Sequence, residues 1–131
     1  GYEGGRLDAG DYSRISRIGD RAFAGCHALE YMDIPTGVTN LGTELFLDCT
    51  SMKEVYFWTG SKQLRTGTLA GCYSLNVLHC GPFSSFSEDV FKANNREDDG
   101  HDYTLHVVVY CYGGGAQTQA KKMGLTYQTI E

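Results

Sequence analysis

The sequence contains little proline, no excess of positive charge and no long apolar run. Only 2 residues are Pro whereas 17 are Gly, which is typical of tight turns within ordered structure. The 11 Lys and Arg residues are outnumbered by 16 Asp and Glu residues, and the net charge of −5 argues against a protein that binds nucleic-acid phosphates. The most apolar run, residues 107–112, is far shorter than the roughly 20 residues that a membrane-spanning helix needs.

The composition is that of one globular domain. Hydrophobic residues make up 41% of the 131 residues and aromatic residues 12%, which is sufficient for a core and excludes an intrinsically disordered chain. Residues 1–5 contain no initiator Met and neither the charged nor the apolar part of a signal peptide. We therefore expect the chain to be an excised piece, the C-terminal end of a longer protein.

An internal repeat organises the sequence. Cys26, Cys49 and Cys72 are spaced by 23 residues, and alignment on them brings the other apolar residues into register. Apart from Ser61, the aligned positions are apolar: Ile15, Val38, Ser61 and Phe83; Ile18, Leu41, Leu64 and Phe86; Phe23, Phe46, Leu69 and Phe91; Leu29, Met52, Leu75 and Leu105; Met32, Val55, Leu78 and Val108; Ile34, Phe57, Cys80 and Tyr110. Stacking of such units buries a core that one unit cannot bury alone.

Each unit ends in a strand pattern. In the first unit Met32 and Ile34 are one residue apart, so they face the same side of a strand, with polar residues facing out. In the fourth unit, which needs an insertion near residues 95–102, the same pattern places Leu105, Val108 and Tyr110 in the core. Glycines recur with the same period, and we expect Gly19, Gly42, Gly25 and Gly71, among others, to occupy corners with positive φ.

Residues 18–29, 32–35 and 38–42 resemble the BspA-like leucine-rich repeat, and residues 108–125 are similar to the usual closing segment of that family. The resemblance implies a secreted or surface protein of bacteria that serves as an adhesive or binding scaffold. It carries no set of catalytic residues.

The predicted fold is an α/β solenoid, a short right-handed leucine-rich-repeat coil with a parallel β-sheet. Residues 1–14 form a ragged N-terminal segment, residues 15–113 form four repeats, and residues 114–131 form a C-terminal cap. The cap consists of a helix over residues 115–123, ended by Gly124, and a last strand over residues 125–130.

The five cysteines have several possible roles. Equivalent side chains of stacked units point the same way, which favours buried thiols for Cys26, Cys49 and Cys72 over disulfides. Cys80 also occupies a core position, and Cys111 is predicted to be the exposed thiol. A zinc site of His79 with Cys72, Cys80 and Cys111, or a nucleophilic site of Cys111 with His106 and Asp102, lacks any supporting motif.

The acidic insertion at residues 95–102 is predicted to be a solvated loop. Its oxygen ligands could also bind a cation, although their spacing differs from that of an EF-hand, and the loop could contact a partner. The candidate cation ligands are Glu97, Asp98, Asp99 and Asp102.

The outward face of the strands is the candidate binding surface, because tyrosine and tryptophan combine apolar area with a hydrogen-bonding tip. The candidate ligand-binding residues are Tyr31, Asp33, Tyr56, Trp58, His79 and His106. The alternative is ordinary cross-strand packing of these side chains.

The predicted function is a non-catalytic binding or adhesion module that contacts a protein or glycan outside the cell, with no cofactor. The alternatives are a structural spacer or capping domain of a larger protein and, more weakly, a metal-dependent enzyme.

Overall fold

A computed structural model describes residues 16–34, 37–57, 63–82, 84–94 and 100–130, together with the backbone of residues 6–7. In chain order the elements are β1 (Arg6–Leu7), β2 (Arg17–Ile18), β3 (Tyr31–Ile34), β4 (Asn40–Leu41), β5 (Glu54–Phe57), β6 (Gln63–Leu64), β7 (Val77–Cys80), β8 (Ser85–Phe86), a 3-10 helix (Tyr103–Leu105), β9 (Val108–Cys111), α1 (Gly114–Met123) and β10 (Thr126–Thr129). Six strands form the main sheet in the order β1-β3-β5-β7-β9-β10, and every neighbouring pair is parallel.

The spacing of the repeat sets the register of the main sheet. Met32 pairs with Val55, and Val55 pairs with Leu78, so each residue lies beside its equivalent one period later. These three side chains are completely buried, as are Ile34 and Phe57 in the next aligned position. The predicted parallel sheet with a repeating core is therefore confirmed for the first three units.

The fourth unit departs from the predicted alignment by one residue. Leu78 pairs with Val109, so β9 buries Val109 and Cys111, whereas Val108 and Tyr110 are only half-buried. Because side chains alternate along a strand, a shift of one residue exchanges the two faces. The prediction that Val108 and Tyr110 belong to the core is wrong.

Tyr103 and Val107 are buried in this segment, whereas the alignment placed Leu105 in the core. The Leu105 side chain is 72% exposed in the 3-10 helix, whereas Tyr103 is buried and its ring stacks on Phe91 at a centroid distance of 4.3 Å. The Tyr103 hydroxyl also accepts a hydrogen bond of 2.9 Å from the Gly71 N–H. A large ring with a satisfied hydroxyl can be buried favourably, so Tyr103 contributes to the core.

A second side of the repeat is built from short strands and turns. The pairs β2–β4 and β6–β8 are parallel, and they bury Ile18, Leu41, Leu64 and Phe86 as the alignment predicts. The turns that follow β2 and β4 are also joined to the next unit, because the Phe46 N–H donates to the Thr68 carbonyl at 3.0 Å. Backbone groups in turns are thus satisfied between units, as they are between the strands of a sheet.

A buried carboxylate fastens successive turns together. Glu44 is 2% exposed, and its Oε1 lies 2.8 Å from Nη2 of Arg21 while its Oε2 accepts a 3.0 Å hydrogen bond from the Asn94 N–H. Residues 21, 44 and 67 are one period apart, and all three have positive φ. A Cβ atom on Gly67 would lie 2.7 Å from Cγ of Glu44, so the missing side chain there makes room for the carboxylate.

The glycine prediction is confirmed at Gly25 and Gly71 and is wrong at Gly19 and Gly42. Gly25 and Gly71 have φ of +72° and +80°, whereas Gly19 and Gly42 do not have positive φ. Gly42 is constrained by close packing instead, because an added Cβ atom would lie 2.4 Å from the backbone nitrogen of Asp20.

The end of the chain forms the predicted helix and strand. Helix α1 buries Ala116 and Ala120, and it ends at Gly124, whose φ of +75° and N–H contacts with the Ala120 and Lys121 carbonyls are typical of a helix C-terminus. Strand β10 then pairs in parallel with β9 and forms the outermost strand of the described sheet.

Candidate functional site

The outward side chains of β3, β5, β7 and β9 form one continuous surface, which we call the ladder face. In β3 and β5 these side chains are half-buried and alternate with buried ones, which is the pattern of strands with one face on the core. The ladder face comprises Tyr31, Asp33, Glu54, Tyr56, Val77, His79, Val108 and Tyr110.

Aromatic rings contact one another across the ladder face, and we call Tyr31, Tyr56, His79 and Tyr112 the aromatic row. The ring centroids of Tyr31 and Tyr56 lie 5.3 Å apart, those of Tyr56 and His79 5.5 Å apart, and those of His79 and Tyr112 5.8 Å apart. The first two pairs are tilted and the last is edge-to-face, which are favourable arrangements for aromatic side chains. The rings are therefore held in place by their neighbours before any partner binds.

A carboxylate fixes the central tyrosine of the row. The Tyr56 hydroxyl donates a 2.7 Å hydrogen bond to Oε1 of Glu54, two residues earlier on the same strand. Partial burial and this hydrogen bond raise the pKa of Tyr56, so its hydroxyl stays protonated and remains a donor. The same hydrogen bond holds the Glu54 carboxylate at a defined place beside the rings.

His79 is the most enclosed residue of the row. It is only 6% exposed, and the ring centroids of Tyr56 and Tyr112 lie 5.5 Å and 5.8 Å from that of His79. Burial lowers the pKa of His79 from its usual value, and a hydrogen bond with the backbone of Phe57 opposes that shift only in part. The imidazole is therefore neutral at neutral pH and adds no positive charge to the ladder face.

The predicted site residues do not all come together. Tyr31, Asp33, Tyr56 and His79 share the ladder face, whereas His106 does not lie in a strand. His106 is exposed at the end of the 3-10 helix, and β9 begins at Val108, two residues after His106. Trp58 lies outside the residues that the structure describes.

Sequence reasoning missed Tyr110 and Tyr112. Tyr110 was predicted to be buried, yet it lies beside His79 on the ladder face. Aligning Cys111 with Cys80, both of which are completely buried, would have given the correct register and placed Tyr110 outward.

A family profile for the BspA type leucine rich repeat region matches residues 11–97 in six copies, which covers about two thirds of the chain. The chain belongs to the BspA type leucine-rich repeat family. Its parallel strands and single described helix fit a repeat α/β fold. Searches of curated proteins and of solved structures give no match.

BspA type repeats are typical of bacterial surface and secreted proteins, and they form non-enzymatic surface modules in general. In the described part of this BspA type chain, no helix is long and apolar enough to cross a membrane. These family properties fit a surface repeat module.

The zinc and nucleophilic sites considered for this BspA type chain fall on described residues, and they are not assembled there. Among the described residues, no group of three or more His, Cys, Asp and Glu side chains could hold a metal ion. The nucleophilic arrangement considered from the sequence does not form, because Cys111 is completely buried whereas Asp102 and His106 are exposed. Of the acidic insertion, residues 95–99 with Glu97, Asp98 and Asp99 lie outside the described residues.

A second group of aromatic rings, which we call the insertion cluster, includes His101 from the end of the insertion. The His101 ring lies 4.9 Å from Tyr73 and 4.6 Å from Tyr103, and His106 lies 6.1 Å from His101. Tyr73 is 41% exposed, so the insertion cluster reaches the surface outside the ladder face. His106 belongs to this cluster rather than to the aromatic row.

The repeated cysteines of this BspA type chain are free thiols that bond to the preceding unit. Sγ of Cys49 donates to the Phe23 carbonyl at 3.0 Å, and Sγ of Cys72 donates to the Phe46 carbonyl at 3.2 Å. Both are buried, whereas Cys26 is half-buried, so the predicted row of buried thiols is confirmed for two of its three members. The predicted exposure of Cys111 is wrong, because the shift of β9 moves that side chain into the core.

We expect the buried thiols to be unreactive in the folded protein. Burial raises the pKa of Cys49 to about 12 and that of Cys72 well above its usual value, so only roughly one Cys49 in 10,000 would be a thiolate at pH 8. Labelling with a chromogenic disulfide should modify Cys26 first, and Cys49 and Cys72 only after unfolding in guanidinium. Mass spectrometry would identify the labelled residue. Equal labelling rates for Cys49 in native and unfolded protein would contradict the buried arrangement.

Proposed function

We propose that the chain is a short right-handed solenoid that serves as a non-catalytic binding module of a bacterial surface or secreted protein. In this proposal residues 15–113 form four repeats and residues 114–131 form the C-terminal cap. The ladder face is the surface that contacts a protein or glycan partner. The aromatic row carries the proposal, because pre-positioned rings supply contact area without the entropic cost of ordering flexible side chains on binding.

The geometry favours the ladder face over the other surfaces described. Its rings pack against one another with centroid distances of 5.3–5.8 Å, and the hydrogen bond from Tyr56 to Glu54 also holds them in place. Tyr112, at one end of the row, is 40% exposed and so keeps part of its ring available to a partner. Tyrosines that are rigid and accessible at the same time are typical of the residues that contribute most to protein interfaces.

The test is a binding screen with a panel of host extracellular proteins and glycans. Tyr56→Ala removes the centre of the aromatic row, and we expect it to weaken binding to any partner found by about tenfold or more. Tyr73→Ala is the matched control, because it removes an exposed tyrosine outside the ladder face. Trp58→Ala tests the predicted site residue that lies outside the described part of the chain.

A purely structural role as a spacer or capping domain predicts a different result. In that case Tyr56→Ala lowers thermal stability without changing binding to any member of the panel. Unchanged binding in a Tyr56→Ala variant that remains folded, as judged by circular dichroism, would refute the ladder-face proposal.

A further inference from the structure

The main sheet differs in charge from one end to the other. Strands β1, β3 and β5 contain the charged residues Arg6, Asp33 and Glu54, whereas the sequences of β7, β9 and β10 contain no Asp, Glu, Lys or Arg. The one imidazole in these last three strands, that of His79, is neutral at neutral pH because burial lowers its pKa. The part of the ladder face nearest the C-terminus is therefore uncharged.

The outward side chains of this uncharged region continue from β7 to the outermost described strand. His79 pairs with Tyr110 and Tyr110 pairs with Gln128, so the side chains of all three face the same side of the sheet. Along β10, Tyr127 packs against the core, which places Thr126 and Gln128 outward, and both are exposed. We call this surface the neutral patch, and it comprises His79, Tyr110, Thr126 and Gln128 together with Tyr112, whose ring contacts His79.

Tyr112 gives the neutral patch an accessible aromatic face. It is 40% exposed, and its ring meets that of His79 at a centroid distance of 5.8 Å and an interplanar angle of 80°. In an edge-to-face contact the edge of one ring meets one face of the other, so His79 leaves at least one face of Tyr112 uncovered. The face of an aromatic ring is electron-rich and attracts weakly positive C–H groups, which line one side of many sugar rings.

Gln128 and Thr126 supply hydrogen-bonding groups beside the rings. Nε2 of Gln128 donates to the Thr129 carbonyl at 3.4 Å. A primary amide has two N–H donors and a carbonyl oxygen with two lone pairs, so this bond leaves one donor and the oxygen for a ligand. Adjacent sugar hydroxyls each donate and accept, and one amide can bind two of them. Because neighbouring strands lie about 4.8 Å apart, Gln128 and Tyr110 are close enough to contact the same sugar unit.

An uncharged oligosaccharide fits the neutral patch better than a charged or a wholly apolar partner. A charged group buried against these strands would find no ion of opposite sign in them, and an unpaired buried charge is costly. An apolar surface would cover the exposed Gln128 amide and Thr126 hydroxyl without giving them hydrogen bonds, which is also costly. A neutral sugar offers a C–H side to the ring of Tyr112 and hydroxyls to both polar side chains.

We propose that the neutral patch binds an uncharged oligosaccharide, with one sugar ring stacked on Tyr112 and its hydroxyls hydrogen-bonded to Gln128 and Thr126. This inference rests on the proposed function, because it names the chemical class of the partner for the same ladder face. A charged oligosaccharide and an unglycosylated protein surface are the competing occupants that the experiment distinguishes.

The experiment measures binding of defined oligosaccharides to the whole chain by isothermal titration calorimetry. The neutral probes are hexasaccharides of glucose, mannose, galactose and N-acetylglucosamine. The charged probes are a galacturonic acid hexasaccharide, which is anionic, and a glucosamine hexasaccharide, which is cationic. We expect at least one neutral probe to saturate the chain and both charged probes to bind at least about tenfold more weakly.

Salt dependence provides a second readout for the same probes. The affinity for the neutral hexasaccharide should change by less than about twofold between low and high sodium chloride, because no charge pair forms on binding. Saturation by none of the neutral probes, or equal affinity for a charged probe, would overturn the proposal.

Variants of the neutral patch locate the site of the neutral hexasaccharide that binds. Tyr112→Ala removes the stacking face and Gln128→Leu removes the amide at similar size, and each should weaken binding by about tenfold. Tyr112→Phe keeps the ring and should bind within about threefold of the unmodified chain. Tyr73→Ala is the matched control, because Tyr73 is 41% exposed but lies in the insertion cluster. Equal losses in Tyr73→Ala and Tyr112→Ala would overturn the assignment to the neutral patch.

The inference and the proposed function fail in different ways. Enzymatic removal of the glycans from a panel glycoprotein that binds should abolish its binding. If the deglycosylated protein still binds, and Tyr56→Ala weakens that binding, the ladder face is a binding site but its partner is not a glycan, so only the inference fails. If Tyr56→Ala, Tyr112→Ala and Gln128→Leu all leave every interaction unchanged, both proposals fail.

Discussion

Phe46→Ala should lower the free energy of unfolding by about 3–5 kcal/mol, which is the usual cost of removing a buried phenylalanine. Phe46 is completely buried, and its ring stacks on Phe23 in the preceding unit at a centroid distance of 5.7 Å. Its carbonyl also accepts the hydrogen bond from the Cys72 thiol, so a collapse around the new cavity would disturb the next unit as well. The total stability of a domain is about 5–15 kcal/mol, so this loss is a large part of it.

Urea unfolding followed by circular dichroism measures the change. Phe23→Ala is the matched control, because Phe23 occupies the same position of the preceding unit but is only half-buried. We expect the control to lose clearly less stability than Phe46→Ala does, since the lost transfer energy depends on the area removed from water. Equal losses in the two variants would mean that stability does not follow burial along the repeat.

Gly71→Ala is expected to cost about 2–5 kcal/mol, because it combines an unfavourable backbone conformation with a steric overlap. Gly71 has a φ of +80°, and an added Cβ atom would lie 2.9 Å from Cα and 3.0 Å from the backbone nitrogen of Asp48. These are backbone atoms of the neighbouring unit, so they cannot move aside as a flexible side chain can. The Gly71 N–H also donates to Tyr103, and a displaced backbone would weaken that bond.

Gly25→Ala separates the two contributions. Gly25 lies two periods earlier with a φ of +72°, but a Cβ atom there has nothing within 4 Å. Its expected cost is about 1 kcal/mol, from the backbone conformation alone. Asp48, which occupies the same position between the two glycines with a φ of +59°, shows that a residue with a side chain can adopt this conformation. Thermal unfolding of both variants provides the comparison, and a larger loss at Gly25 would contradict the steric argument.

Much of the fold follows from the spacing of apolar residues. Met32, Val55 and Leu78 are one period apart, and the pairing of their strands in parallel is the way in which all three bury the same face. Helix α1 was also predictable, because an alanine–lysine segment followed by Gly124 is a local sequence signal for a helix and its C-terminus. The outward placement of Tyr31, Asp33, Tyr56 and His79 follows directly from that register.

The fourth unit was not predictable in the same way. The pattern of Leu105, Val108 and Tyr110 fits the repeat as well as the observed register does, because residues 107–111 are all compatible with burial. In the observed register Tyr103 is buried, with its ring packed against Phe91 and its hydroxyl bonded to Gly71. Those partners are distant in sequence, so no local pattern contains them.

The sequence by itself determined the family. It also determined the parallel sheet and the residues that face outward from β3, β5 and β7, because a strict period forces equivalent residues to the same face. Only the tertiary structure decided which face of β9 is buried, placed His106 outside the ladder face, and brought Tyr110 to the ladder face and Tyr112 to the aromatic row. Contacts between units choose among registers that the pattern alone leaves nearly equal, and each choice reverses the faces of a strand.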